Sequence, residues 1–333
     1  MSLNLADILE IAAASRPESD ALVFEDTRLT FIQLAKAARR VAWMLHEQGI
    51  GPGDKVAFLL PNTPHFPIIL YGILYTGATA VPLNVLLQWR EIQHQLDDAG
   101  VTALFAFEPF LEQARQAVNA STSCQRLIVV EPDMTPSQPE IGASFLALMA
   151  TSRPDFEPYR TSPDDTAEIL FTSAYGGKPL GTELTHFNLF QNALISQAFV
   201  QKFGPDDTCL CVLPLFHSFG QTAMLNAPLL GTSKTVLMSR FETHKVIDII
   251  ARERVTLFGV VPSMAHFMVT YKPGETFDLS SIRALDIGGA ALSMKLYDAF
   301  LERFNIPLLQ GYGLTETSPV VAYNVDEATN RPG

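Results

Sequence analysis

Cysteine is scarce: Cys124, Cys209 and Cys211 are the three in a chain of 333 residues. That number excludes a disulfide framework and a cysteine-based metal cluster, and it fits a reducing cytoplasm. Charge is scarce as well. Charged residues make up 17%, with 23 basic against 35 acidic side chains for a net charge of -12. Without a lysine or arginine run, a nucleic-acid-binding face is disfavoured, and any anion site must be assembled from backbone amides, a metal or single cations. The N-terminus lacks a basic region, and its ADILEIAAA reads as an amphipathic helix and not as a secretory core. HExxH and GxSxG are both missing, which removes the main support for zinc hydrolysis and for a serine-hydrolase elbow.

Apolar residues, by contrast, make up 47% of the chain. Single cores stop growing at roughly 250–300 residues, so this length predicts two lobes. The uncharged run from Val56 to Trp89 is long enough to raise a membrane question. Pro61, Pro64, Pro67 and Pro82 break it, with Asn62 and Asn84 inside, and it reads as strand, helix and strand.

Alternation continues through the chain. Thr30 and Gln33 stand at capping-box spacing before a helix whose apolar face runs through Phe31, Leu34, Val41, Met44 and Leu45, and Gly49 and Gly51 end it. KVAFLL, PHFPIILYGILYTG and ATAVPLN form a first βαβ unit. AEILFTS is followed by a loop and a helix from about Thr185 to Phe203. The strands CLCVLPL, TVLMS, TLFGVVPS, RALDIGG and PLLQGYG then alternate with helices. Such a pattern specifies an α/β protein of mostly parallel, helix-covered sheets. The division predicted is a first lobe over 1–163 and a second over 164–333, with the Pro-, Ser- and Thr-rich stretch from Glu131 to Pro163 as the connection.

In folds of this kind ligands sit beyond the carboxyl ends of strands, so the loops that follow strands deserve reading. TSAYGGKPLGTELTH, from Thr172 to His186, offers hydroxyls at Thr172 and Ser173, free conformations at Gly176 and Gly177, and Thr185 as a helix cap. It suits a phosphate or is an ordinary connection. It is not a Walker sequence, because Thr172 stands where the first glycine belongs and Pro179 follows Lys178 where Ser or Thr is required. GYGLTET lacks the third glycine of a dinucleotide fingerprint, and Glu316, between Thr315 and Thr317, is either a magnesium carboxylate beside a phosphate or a surface glutamate. His217 in PLFHSFG is either a site residue or a hydrogen-bonded core histidine. IGGAAL offers Gly288 and Gly289 for close approach by a flat ligand, or for tight packing.

Taken in order, PLNVLLQWREI, FTSAYGGKPLGTELTHFNL, VLPLFHSFG, VVPSM, FDLSSIRALDIGGAALS and QGYGLTETSPVV resemble the adenylate-forming superfamily, and within it the acyl-CoA synthetases. The resemblance implies two such lobes and a reaction in which a carboxylate attacks the α-phosphate of ATP, after which coenzyme A takes the acyl group. Position by position it implies that Thr172, Ser173, Gly176, Gly177 and Lys178 form the phosphate loop. Gly288, Gly289 and Ala290 lie along adenine and the acyl pocket, and Tyr312 lies against adenine. Thr315 binds the α-phosphate, Glu316 holds Mg2+, and His217 shapes the acyl site. The partners implied are a medium or long-chain fatty acid, ATP and coenzyme A, with no nucleic acid and a homodimer left open.

Two departures stand out. The family's loop usually reads T-S-G-T-T-G-x-P-K-G, whereas Ala174, Tyr175 and Gly176 replace its G-T-T and Leu180 takes its lysine's place. The match covers only the family's large N-terminal part, so the small C-terminal domain is expected to be absent and full turnover by this chain is expected to be slight. A non-catalytic acyl- or nucleotide-binding relative with a degenerate phosphate loop is the alternative.

Overall fold

The computed structural model describes residues 2–133, 142–172, 178–272, 278–326, 328 and 330–332. They divide into two compact units, Met1–Glu10 with Ile32–Leu189 and Ile11–Phe31 with Phe190–Gly333.

The first unit holds a seven-stranded sheet in the order Ala143–Ser144, Arg126–Val130, Ala103–Phe107, Lys55–Leu59, Thr79–Pro82, Thr166–Thr172 and Leu180–Thr185. All pairs are parallel except the last. The central strands Lys55–Leu59 and Ala103–Phe107 are buried along nearly their whole length, as strands covered on both faces must be. Helix Phe31–Glu47 turns Leu34, Ala38, Val41 and Leu45 inward, each fully buried. It ends where Gly49 takes φ +76, a left-handed conformation that glycine adopts without a Cβ penalty. Helix His65–Tyr75 is buried at every position after the first. At Gly72 an added Cβ would lie 2.5 Å from Cβ of Val41, so glycine is what lets these two helices meet. The apolar run from Val56 to Trp89 is thus a strand, a core helix and a strand, and among the described residues no helix is long and apolar enough to cross a membrane.

The second unit repeats the scheme with eight strands in the order Val320–Tyr323, Leu308–Gly313, Ala284–Ile287, Leu257–Val260, Thr208–Cys211, Lys234–Leu237, Asp20–Phe24 and Thr27–Thr30. The six central strands run parallel, and each edge strand pairs antiparallel. Leu210, Phe258, Val260, Leu285 and Ile287 from these strands share one core with Val246 and Ile250 of helix Thr243–Glu253 and Phe300 of helix Met294–Phe304. Each such buried side chain contributes roughly 2 kcal/mol of burial free energy.

Three details differ from the sequence expectations. The loop after Thr172 does not lead straight into a helix: Leu180–Thr185 returns antiparallel along Thr166–Thr172, and the helix His186–Ile195 starts only beyond it. Gly181 makes the hairpin fit, since a Cβ there would come 2.8 Å from Cγ2 of Ile169. Because that hairpin pairs through Glu168 with Ala80, the first unit continues to Leu189, past the expected boundary at Pro163. The stretch from Glu131 to Pro163 carries the short edge strand Ala143–Ser144 and helix Phe145–Thr151, so its described part adds to the first sheet.

Candidate active site

Four strands of the second unit end at one cavity of about 390 Å³. The loop after Thr208–Cys211 contributes His217 and Phe219, the end of Leu257–Val260 contributes Val261, Ala284–Ile287 leads into Gly288 and Gly289, and Leu308–Gly313 runs into Leu314 and Thr315. Carboxyl ends of parallel strands are where doubly covered sheets open clefts, because the helices leave that edge uncovered.

His217 is held by its backbone. It occupies an extended conformation before helix Ser218–Gln221, and its N–H donates to the carbonyl of Pro214 at 3.1 Å. Gly220 allows the turn, since a Cβ there would sit 2.5 Å from the Pro214 oxygen. The ring stands edge-on to Phe216 at 4.7 Å between centroids. It is exposed on the cavity side and crowded by protein elsewhere, and the lost solvation lowers its pKa from the ordinary value. The imidazole at neutral pH is uncharged, able to offer one donor and one acceptor.

The glycines are matters of space. Gly288 packs with its α-carbon side toward the Gly311 carbonyl and the Phe219 ring, where a Cβ would have 3.3 Å from each, and Gly289 adopts φ +78. A Cβ on Gly313 would lie 2.2 Å from the Pro319 oxygen. The chain therefore doubles back tightly after Tyr312, a residue 62% exposed at the cavity edge. Thr315–Thr317 forms one 3-10 turn, pinned when the Asn192 amide donates to the carbonyls of Thr317 and Val320 at 3.3 and 3.0 Å. Thr222 adds a hydroxyl donor to the Ser318 carbonyl at 3.1 Å.

Of the residues singled out from sequence, His217, Gly288, Gly289, Tyr312 and Thr315 line this cavity. Ala290 and Glu316 are exposed and lie beside lining residues without lining it themselves. Thr172 pairs with Leu180 at the end of the first unit's hairpin, and Lys178 is exposed after it. Ser173, Gly176 and Gly177 lie outside the described residues. Thr185 does act as a cap, accepting from the Asn188 N–H at 3.2 Å, but at the far end of the return strand. No group of three or more His, Cys, Asp or Glu among the described residues could hold a metal ion. A single carboxylate such as Glu316 still fits magnesium of the kind held mainly by substrate phosphates.

Sequence reading missed Gln201, Asp286 and Tyr323. Gln201 and Tyr323 line the cavity, and both hydrogen-bond to the fully buried Asp286. The signal for Asp286 was present: one acid inside the apolar strand text RALDIGG.

The site is a cleft at strand ends, lined by glycines, an aromatic ring, a histidine and hydroxyls. The chain belongs to the AMP-binding enzyme family, whose model matches residues 9–333. The long-chain-fatty-acid–CoA ligase of Bacillus subtilis (strain 168) is 29% identical, over 99% of this chain and 63% of its own. The 4-coumarate–CoA ligase 2 of Oryza sativa subsp. japonica is 32% identical, over 93% and 57%. The chain thus spans only part of the length of these relatives. Among solved structures, the inhibitor-bound N-terminal domain of FACL13 from Mycobacterium tuberculosis matches with a TM-score of 0.85 at 29% identity, covering 96% of this chain and 77% of that one. The anthranilate CoA ligase AuaEII in complex with anthranoyl-AMP shares the fold, with a TM-score of 0.94 at 24% identity over 100% and 64%.

Proposed function

We propose that this chain carries the acid-activating site of an ATP-dependent acid–CoA ligase. A substrate carboxylate oxygen attacks the α-phosphorus of ATP, the bond to the β-phosphate breaks, and acyl adenylate and pyrophosphate result. In the second step the coenzyme A sulfur attacks the acyl carbon, AMP leaves, and the thiol proton is released. The observation that carries the reading is the convergence of His217, Gly288, Gly289, Tyr312 and Thr315 on one cavity in a member of the AMP-binding enzyme family.

The roles follow from the chemistry each group offers. Tyr312 supplies an aromatic face to adenine, and the bare backbone of Gly288 and Gly289 permits close approach by the base. Thr315 donates a hydroxyl to the α-phosphate, where charge accumulates during attack. His217 borders the acyl group as a neutral imidazole. Glu316 would hold magnesium together with the phosphates, and the ion would neutralise phosphate charge. Thr172, Ser173, Gly176, Gly177 and Lys178 are the phosphate loop that the family resemblance implies. Leu213, Val261 and Val320 give the cavity an apolar share that suits a medium or long acyl chain, or an aryl body.

Pyrophosphate exchange into ATP, run with a panel of carboxylic acids, tests the reading. Acid-dependent exchange supports it, and Thr315→Ala or Glu316→Gln should then lower the rate without altering the melting temperature. The altered loop, with Leu180 where a cation is usual, favours a second reading as a binder that does not catalyse. Silence in exchange with acyl-adenosine binding retained would decide for the binder. Restoring the loop with Ala174→Gly, Tyr175→Thr, Gly176→Thr and Leu180→Lys should tighten ATP binding if those departures weaken it.

A further inference from the structure

Val261 and Gly288 line the cavity, and the residues two places back along the chain, Gly259 and Asp286, pair side by side on neighbouring strands. Alternation along an extended chain turns all four to the same face of the sheet. Neither Gly259 nor Asp286 lines the cavity, so on this face it ends within one repeat of the strand, about 7 Å. Over Asp286 lie Gln201 and Tyr323, which hydrogen-bond to it and line the cavity themselves.

Over Gly259 lies Met224. It is fully buried in the helical segment Thr222–Asn226, and a Cβ on Gly259 would stand 2.7 Å from its Sδ and 2.9 Å from its Cε. Glycine inside a strand weakens that strand and marks a place where something must come close. Here the approaching group is a thioether, the unbranched side chain that best fills an irregular gap. Its sulfur is also 3.6 Å from Sγ of Cys209 on the adjoining strand Thr208–Cys211, so it is wedged against two strands at once. Leu213 completes the plug. Its Cδ1 would be 3.1 Å from the same Cβ, and Leu213 is a lining residue.

We infer that Leu213, backed by Met224 in the notch of Gly259, closes the acyl pocket at about the depth of one ring, so that this site takes carboxylic acids with a compact body, an aryl ring or a short chain, and turns away extended long chains. The inference rests on the cavity being the acyl-adenylate site. Leu213 is the specificity-determining wall, and Met224 is a positioning residue that acts through it. Hydrocarbon longer than the pocket must stay in water or displace side chains packed at crystal-like density.

Calorimetry of the chain with non-hydrolysable acyl-sulfamoyl adenosines tests this, the probes being the acetyl, benzoyl, hexanoyl and dodecanoyl compounds. The dodecanoyl probe should bind roughly tenfold or more weakly than the benzoyl or hexanoyl probe. Met224→Ala removes the backing of Leu213 and should move the dodecanoyl-to-hexanoyl ratio roughly tenfold towards the long chain. Gly259→Ala works in the opposite direction, since its methyl group crowds Met224 and Leu213, and it should lower benzoyl binding relative to acetyl binding. A merely structural role would weaken all probes alike and leave both ratios where they were, which would overturn the part given to Met224. Should Met224→Ala fail to fold, the parent's chain-length series and Gly259→Ala still decide. Dodecanoyl binding by the parent as tight as hexanoyl binding overturns the inference and leaves the site reading standing. If no probe binds, both fall.

Discussion

Each unit puts a histidine where a strand gives way to a helix, and the two are used in opposite ways. In the first unit His186 opens helix His186–Ile195, is 1% exposed, and its Nδ1 accepts the backbone N–H of Leu5 at 2.9 Å. Burial holds its pKa down at about 4, so the ring is locked in one neutral tautomer by the fold itself. In the second unit His217 precedes helix Ser218–Gln221 with its ring open to the cavity. Equal position and equal direction of pKa shift therefore carry no functional message. What separates a structural histidine from a site residue is whether the fold uses up its nitrogens.

The largest effects should come from deleting the two rings. His186→Ala leaves the buried Leu5 N–H without its acceptor and opens a void, which together should cost about 4 kcal/mol and lower the melting temperature by several degrees. His217→Ala should leave the melting temperature within about 2 °C and reduce pyrophosphate exchange by roughly tenfold, the worth of one lost contact to the reacting acid. Equal melting losses in the two variants would erase the distinction drawn between the units.

Acidification separates the units by sign. His186 and His65 have folded pKa values near 4 against an ordinary 6.5, so the unfolded chain binds protons first as pH falls. Their contribution is complete above pH 6.5 and is lost toward pH 4, about 3 kcal/mol for each ring. Asp286 runs the other way. Burial raises it from 3.8 to about 6 against the opposing pull of Tyr323, Gln201 and Arg283, with the thiol of Cys209 also nearby. Its stability share is present below pH 3.8 and is lost as pH rises to about 6, again about 3 kcal/mol. Asp286→Asn should therefore be more stable than the parent at pH 7 and lose more stability between pH 6 and 4. Urea titrations at several pH values read this directly. A variant that tracks the parent curve would mean that Asp286 is not held in its neutral-favouring environment.

The two sheets were legible because parallel strands covered on both faces must be written as apolar runs, as KVAFL, TAVP and LFGV are. The edge hairpins were not. TRLT and LGTELT are short, half polar and without a turn signal of the Asn-Gly kind, so nothing local marks them as strands. A similar division applies at the site. His217, Gly288, Gly289, Tyr312 and Thr315 could be singled out because each lies at or just beyond the carboxyl end of a strand, and strand ends are where clefts form. Gln201 and Tyr323 could not, because they matter only through Asp286, from which they stand 85 and 37 residues away along the chain.

The smallest test contrasts two helix caps. Ser293 is exposed and accepts the Leu296 N–H at 3.3 Å at the start of helix Met294–Phe304 in the second unit. Ser144 does the same for Ala147 at 3.1 Å in the first unit, but it is buried and its hydroxyl also donates to the carboxylate of Glu131, itself 1% exposed. Ser293→Ala removes a cap whose partner can turn to water, which should cost no more than about 1 kcal/mol. Ser144→Ala removes a cap and also leaves a buried carboxylate short of a donor, which should cost about 2–3 kcal/mol. Chemical denaturation of the two variants measures the gap. Equal losses would mean that water reaches Glu131 once the hydroxyl is gone, and that the first unit's polar interior is less closed than its histidine implies.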